Sequence, residues 1–296
     1  MTGAYMKVAQ TGTELHVGPA GWSYEDWKGI VYPKSTPRGF RGLKFLADYF
    51  NTVEINTSFY RPPPASYCKR WLADVEGRED FRFTAKLWQR FTHEREDWWT
   101  HDDVKLFQDG LAPLADAGKL GAVVVQFPWS FRYGKDAREW LGELAGEFGG
   151  WPLVVEVRSR GWLREEALAF IEGLGVGFCN IDQPRLRGNI PLTSHAFGPV
   201  GYLRMHGRNA GAWFSKDEGG GTASRDRRYD YLYSPSELDE VQGAIQQIAE
   251  RVEQMYVIAN NHYRGQAPAN ALQLMGRLSG EEPAVPELLS KHYEIA

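Results

Sequence analysis

The chain has 296 residues, above the roughly 100 to 200 of an ordinary domain, so it holds either two domains or one large closed barrel. Hydrophobic residues make up 43% and charged residues 24%, with 34 basic against 38 acidic side chains, which excludes a disordered or fibrous chain and any bulk attraction to nucleic acid or acidic membranes. Cys68 and Cys179 lie far apart, no apolar run reaches about 18 residues, and no basic-then-apolar leader opens the sequence. The expectation is a cytoplasmic protein without disulfide scaffold, thiolate zinc site or membrane span.

In chain order, residues 1–14 read as a flexible N-terminal segment and 15–296 as one domain. Leu15 to Gly18 is a strand ending in a Gly-Pro-Ala-Gly turn, followed by an irregular aromatic loop from Trp22 to Pro37. Helical spacing over Leu43 to Phe50 precedes the period-two alternation of Thr52 to Asn56. The alternation repeats: helix Ala65 to Glu76, strand Phe81 to Lys86, helix Asp103 to Ala117, strand Ala122 to Phe127, helix Lys135 to Phe148, strand Leu153 to Arg158. Helix Arg164 to Leu174, strand Gly177 to Asp182, strand Gly201 to His206, helix Ser236 to Val252, strand Tyr256 to Asn261 and helix Pro268 to Leu278 complete it. Pro184, Pro191 and Pro199 predict that the connection between Asp182 and Gly201 is a degenerate crossover. Eight strands separated by helical segments predict an α/β fold, a single (β/α)₈ TIM-type barrel with long βα loops; a doubly wound sheet lacks its Gly-rich fingerprint here.

In such a barrel the strands' C-terminal ends gather at one mouth and carry the chemistry. Period-two parity places Glu54 and Asn56 inside, then Lys86, Gln126, Glu156 with Arg158, Asp182, Arg204 with His206, and one of Asn260 or Asn261 with His262. Ion pairs that merely neutralise one another are the structural alternative, but burying so many charges at one end costs several kcal/mol per ion, which favours a site.

The same residues resemble the YecE-like family, known as domain of unknown function 72. Gly21-Trp22-Ser23-Tyr24 with Trp27, Gly29 and Tyr32-Pro33 resembles its opening, and Val53-Glu54-Ile55-Asn56-Thr57-Ser58-Phe59-Tyr60-Arg61 its most telling signature. Thr92-His93, Gln126-Phe127-Pro128, Glu156-Val157-Arg158 with Trp162, Arg204-Met205-His206-Gly207-Arg208, Tyr231 and Asn260-Asn261-His262 with Asn270-Ala271 follow in family order. Pro19-Ala20 and Ser159 depart from the pattern, the latter where a His is frequent. The resemblance implies a (β/α)₈ barrel and leaves function to the site.

The favoured chemistry is an enzyme, a hydrolase, lyase or isomerase, acting on a small anionic, phosphorylated molecule. Glu54, Lys86, Glu156 and His206 are the catalytic candidates, since His transfers protons near neutral pH and a buried Glu can serve as base. Arg158 and Arg204 offer guanidinium forks for an oxyanion, and Arg61 and Arg208 could close from loops. Trp22, Asn56, Tyr60, His93, Gln126, Tyr231, Asn260, Asn261 and His262 complete the substrate-binding set. A divalent metal ion on Glu156, Asp182 and His206 is a second possibility, since these form an N/O ligand set on successive strand ends. A glycoside hydrolase using Glu54 and Glu156 is disfavoured because Lys86 and Arg158 would suppress the raised pKa that a general acid needs. The non-enzymatic alternative is a module for nucleic acid or a phosphorylated partner, with Arg90, Arg95, Arg160, Arg208, Arg225, Arg227 and Arg228 interleaved with Trp88, Trp98, Trp99 and Trp213.

Overall fold

The computed structural model describes residues 6–213 and 229–295. Eight parallel strands form the sheet: β1 (Glu14–Pro19), β2 (Thr52–Ile55), β3 (Arg82–Lys86), β4 (Leu120–Gln126), β5 (Leu153–Glu156), β6 (Gly177–Asp182), β7 (Val200–Met205) and β8 (Gln254–Ala259). Their order, β1-β8-β7-β6-β5-β4-β3-β2, is that of a (β/α)₈ barrel opened out at β1 and β2. Intervening helices are α1 (Gly42–Leu46), α2 (Ala65–Asp74), α3 (His101–Asp116), α4 (Lys135–Glu147), α5 (Glu165–Gly173), α6 (Pro235–Ala249) and α7 (Gln266–Ser279), with a short α8 (Glu287–Ser290) at the end. Two helices carry reciprocal caps: the Thr100 and Asp103 side chains each take the other's backbone N–H at the start of α3, and Ser234 with Glu237 does the same for α6.

The β1/β2 seam is held by side chains where the ladder is missing. Ala20 bridges Glu54, and the Gly21 N–H donates to the Glu54 carbonyl at 2.9 Å. Lower down, the Asn51 amide acts as a surrogate strand: its Oδ1 accepts from the Val17 N–H at 3.0 Å and its Nδ2 donates to the Leu15 carbonyl at 2.7 Å. The approach is so close that a Cβ on Gly18 would lie 1.9 Å from the Thr52 carbonyl oxygen. Asn51→Ala strands both buried backbone groups, so we expect it to cost about 2 kcal/mol, read as a lowered urea midpoint at unchanged slope.

The prolines act as the sequence predicts. Residues 183–199 contain no helix, and the Asn180 side chain organises the connection by donating to the His195 carbonyl at 2.8 Å and accepting from the His195 N–H and the Thr193 hydroxyl. At the other end Val8 is buried and the Ala9 N–H donates to the Leu278 carbonyl at 2.8 Å, which docks residues 6–13 on the C-terminus of α7.

Strand parity sorts the core into two layers. Val53, Ile55, Phe83, Val123, Val125, Leu203 and Val257 face the helices, while Ala122, Val124, Val154, Cys179, Ile181, Tyr202, Tyr256 and Ile258 fill the barrel. Low in the interior, His16 stacks on Tyr256 with ring centroids 4.6 Å apart and its Nε2 lies 2.9 Å from Glu14. These side chains fill the lower barrel beneath the polar layer. Both cysteines are buried free thiols, and no helix among the described residues is long and apolar enough to cross a membrane.

Candidate active site at the barrel mouth

The inward positions one step above the aromatic layer are Glu54, Gln126, Glu156 and Arg204. Arg204 spans the barrel, its Nη2 donating to Glu54 Oε1 at 2.7 Å and its Nη1 to Glu156 Oε2 at 2.5 Å and Gln126 Oε1 at 3.3 Å. Its Nε is buried without a partner among the described residues, and both carboxylates are fully buried. Glu54 Oε2 also accepts from the Tyr202 hydroxyl at 3.0 Å, which ties the charged layer to the aromatic one. Burial alone would raise the Glu156 pKa; Arg204, then Arg158 and His206, overcome it and hold the carboxyl well below its ordinary range. The same two carboxylates outweigh desolvation at Arg204 and keep the guanidinium firmly protonated.

The next layer is the floor of the mouth. Arg158 donates through Nε (3.0 Å) and Nη2 (2.7 Å) to Glu156 Oε1, which leaves its Nη1 edge without a partner among the described residues; the side chain is 19% exposed. His206 Nε2 lies 3.4 Å from Glu156 Oε1, and Asn260 donates to its Nδ1 at 3.0 Å. Burial pulls the His206 pKa down to about 4, against the attraction of Glu156, so the imidazole is neutral at pH 7.

Lys86 differs from every other charge here. No carboxylate oxygen of a described residue lies within 4.0 Å of its Nζ. The amine instead sits 3.9 Å above the Phe59 ring, which is met edge-on by His93 at 4.9 Å. Ser58 fixes that ring's turn, its hydroxyl lying 2.7 Å from the carbonyls of both Ile55 and Lys86. Desolvation first, then Arg204, lower the Lys86 pKa to about 7, although Glu54 and Glu156 pull the other way. Desolvation and the Lys86 and Arg158 charges bring His93 down to about 4.

Glu54, Lys86, Gln126, Glu156, Arg158, Arg204, His206 and Asn260 are thus brought together, with His93 alongside. Asp182 is not. Cys179 and Ile181 are the inward residues of β6, so Asp182 has the opposite parity; its carboxylate is gripped bidentately by Arg208 at 2.9 to 3.1 Å and accepts from the Tyr233 hydroxyl at 2.6 Å. The set Glu156, Asp182 and His206 is therefore not assembled, and among the described residues no group of three His, Cys, Asp or Glu side chains is placed to hold a metal ion. Arg208, which also reaches Glu237 and Glu240, braces α6 and is not poised to close on a ligand.

Asn261 is likewise a brace. It donates to the Tyr231 carbonyl and to Asn270 Oδ1, both at 2.8 Å, while Tyr231 itself bonds Glu237. His262 stacks on Tyr24 at 4.5 Å and meets Tyr229 at 4.7 Å, forming the mouth's aromatic wall. Asn56 lies beside the Tyr24 hydroxyl, and Trp22 packs on Trp71. Tyr60 and Arg61 are exposed on the loop after β2, outside the charged cluster. Of the interleaved Arg and Trp residues, Arg90 is spent on the carbonyls of Glu94, Asp97 and Trp98 and Arg95 stacks on Phe131; Arg225, Arg227 and Arg228 and the side chain of Trp213 lie outside the described residues. Phe59, Tyr24, Tyr202 and Tyr233 belong to the site although the sequence by itself assigns them no role. Tyr202 shares the parity of Arg204 and was legible; the other three sit in loops, where periodicity gives no direction.

A nearly closed eight-stranded parallel barrel with a buried carboxylate–guanidinium layer beneath Lys86 and Arg158 defines the class of protein. The family described as "Protein of unknown function DUF72" matches residues 16–292, and the chain belongs to it. It is 28% identical over 277 residues to the UPF0759 protein YunF of Bacillus subtilis, covering 90% of this chain and 95% of that one. To the UPF0759 protein YecE of Escherichia coli K12 it is 29% identical over 136 residues, 45% of this chain and 46% of that one. A crystal structure of a DUF72 family protein from Thermotoga maritima is similar with a TM-score of 0.76 at 33% identity, covering 89% of this chain and 98% of that one. One from Enterococcus faecalis shares the fold with a TM-score of 0.77 at 23% identity over 92% of this chain and 98% of that one.

Proposed function

We propose that the protein is an enzyme acting on a small anionic molecule that enters the C-terminal mouth of the barrel. The observation that carries this reading is the charge balance of the floor. Glu54 and Glu156 are matched by Arg204 and Arg158, so a protonated Lys86 is a surplus positive charge, set apart from either carboxylate and partly open to solvent. The free Nη1 edge of Arg158 supplies a fork donor on the same floor. Arg204, buried and committed to two carboxylates, positions Glu54 and Glu156 and does not meet the ligand. The anion site is therefore assigned to Lys86 and Arg158.

Phosphate or sulfate should raise the melting temperature of the wild type above that in chloride at equal ionic strength. The linkage gain is about 2.7 kcal/mol at a free anion concentration 100 times Kd. Lys86→Met and Arg158→Gln should each remove the difference. Equal melting temperatures in the three salts would refute the anion reading.

A further inference from the structure

We propose that Lys86 is a covalent nucleophile that forms an imine with an aldehyde or ketone carrying an anionic group. This rests on the anion site just assigned and adds to it the reacting group of the substrate. Three features of the site point there. The amine stands at the C-terminal end of β3 without a carboxylate partner among the described residues, so no ion pair with them holds it in the ammonium form. It is held 3.9 Å over the Phe59 ring; the ring face attracts the ammonium, but desolvation and the nearby Arg204 charge favour the neutral amine, while the residue keeps contact with solvent. Arg158, on the same floor, can anchor a carboxylate or phosphate whose neighbouring carbonyl then faces the amine.

The step balances without a further reagent. The Nζ lone pair adds to the carbonyl carbon, and a proton passes from nitrogen to the former carbonyl oxygen, giving a carbinolamine. The nitrogen lone pair then expels that oxygen as water, with one proton taken up from solvent, and leaves a C=N bond to a protonated nitrogen. The cation so formed draws electrons from the adjacent carbon, and hydrolysis reverses the sequence to regenerate the amine. Neutral amine is needed for the first step, and burial near Arg204 brings the Lys86 pKa to about 7, so a large fraction is neutral at physiological pH. His206 and His93, both neutral, add no charge that would repel the protonated imine formed on the Lys86 nitrogen.

The test is reductive trapping on the intact protein with sodium cyanoborohydride and three two-carbon aldehydes: neutral glycolaldehyde, glyoxylate and glycolaldehyde phosphate. Peptide mass spectrometry reads the adduct at Lys86 against that at Lys105, an exposed lysine that serves as internal standard. The expected result is trapping at Lys86 at least about tenfold faster than at Lys105 at pH 7, rising to a plateau with a midpoint near 7. One or both charged aldehydes should outpace glycolaldehyde at Lys86, which also decides between carboxylate and phosphate, and Arg158→Gln should abolish that advantage. Lys86→Arg should remove the adduct. If Lys86 reacts no faster than Lys105 while phosphate still raises the melting temperature, the imine is refuted and the anion site stands. If neither response occurs, both fall. Equal rates at Lys86 for all three aldehydes would overturn the substrate class.

Discussion

Arg204→Ala is expected to destabilise the protein by about 3 to 5 kcal/mol, the range for removing one partner from a buried ionic network. The loss arises less from the missing contacts than from what stays behind. Among the described residues Glu54 would keep the Tyr202 hydroxyl alone, and Glu156 would keep Arg158 and His206 on Oε1 but lose its charged partner on Oε2. Glu54→Gln should therefore be destabilising in the wild type yet recover part of the loss in the Arg204→Ala background, because it removes the charge left uncompensated. Urea denaturation of the four proteins checks this. A loss below about 1 kcal/mol, or strictly additive effects, would show that the layer is solvated and not a buried network.

How far the site was legible from sequence depends on what covers each strand. β2, β3, β4 and β5 pack apolar residues against helices, so every polar residue in their alternation must face inward; Glu54, Lys86, Gln126 and Glu156 do. β6 breaks the rule. The connection after it has no helix, and its loop needs hydrogen-bond partners, so the polar residues of β6 face outward: Asn180 holds His195 and Thr193, and Asp182 holds Arg208 and Tyr233. The prolines that announced the missing helix carried that consequence too, although parity by itself reads Asp182 as inward. The second limit is that parity gives direction without pairing. Arg158 and Arg204 read alike as inward cations, but one is enclosed between two carboxylates and the other keeps an open edge. Side-chain pairing across a barrel joins residues up to 150 apart in sequence, and no local pattern encodes it. The third limit is the loops: Phe59, which sets the environment of Lys86, lies in a single 3₁₀ turn whose orientation is fixed by Ser58.

The protein should become more stable when its most reactive group is removed. Lys86 ionises near 7 in the folded chain and near the ordinary 10.5 when unfolded. Between these values the unfolded chain binds a proton that the folded chain does not, so stability rises with pH across the window from about 7 to 10.5. Put the other way, a penalty is absent above pH 10.5, builds as the pH falls, and is complete below about 7. At about 1.4 kcal/mol per pH unit the full penalty would exceed 4 kcal/mol; partial solvent contact reduces the expectation to about 3 kcal/mol. Lys86→Met deletes the ionisation and keeps an unbranched apolar stem over Phe59. Its stability relative to wild type should therefore be greatest at pH 6 and fall by about 3 kcal/mol by pH 10, in urea titrations at fixed ionic strength. An occupied anion site would oppose the penalty by stabilising the ammonium, so added phosphate should shrink the pH 6 gap and leave the pH 10 value nearly unchanged. A gap that does not vary with pH would mean that Lys86 ionises normally; it would remove the neutral amine on which imine formation depends and leave the surplus cation of the anion site in place.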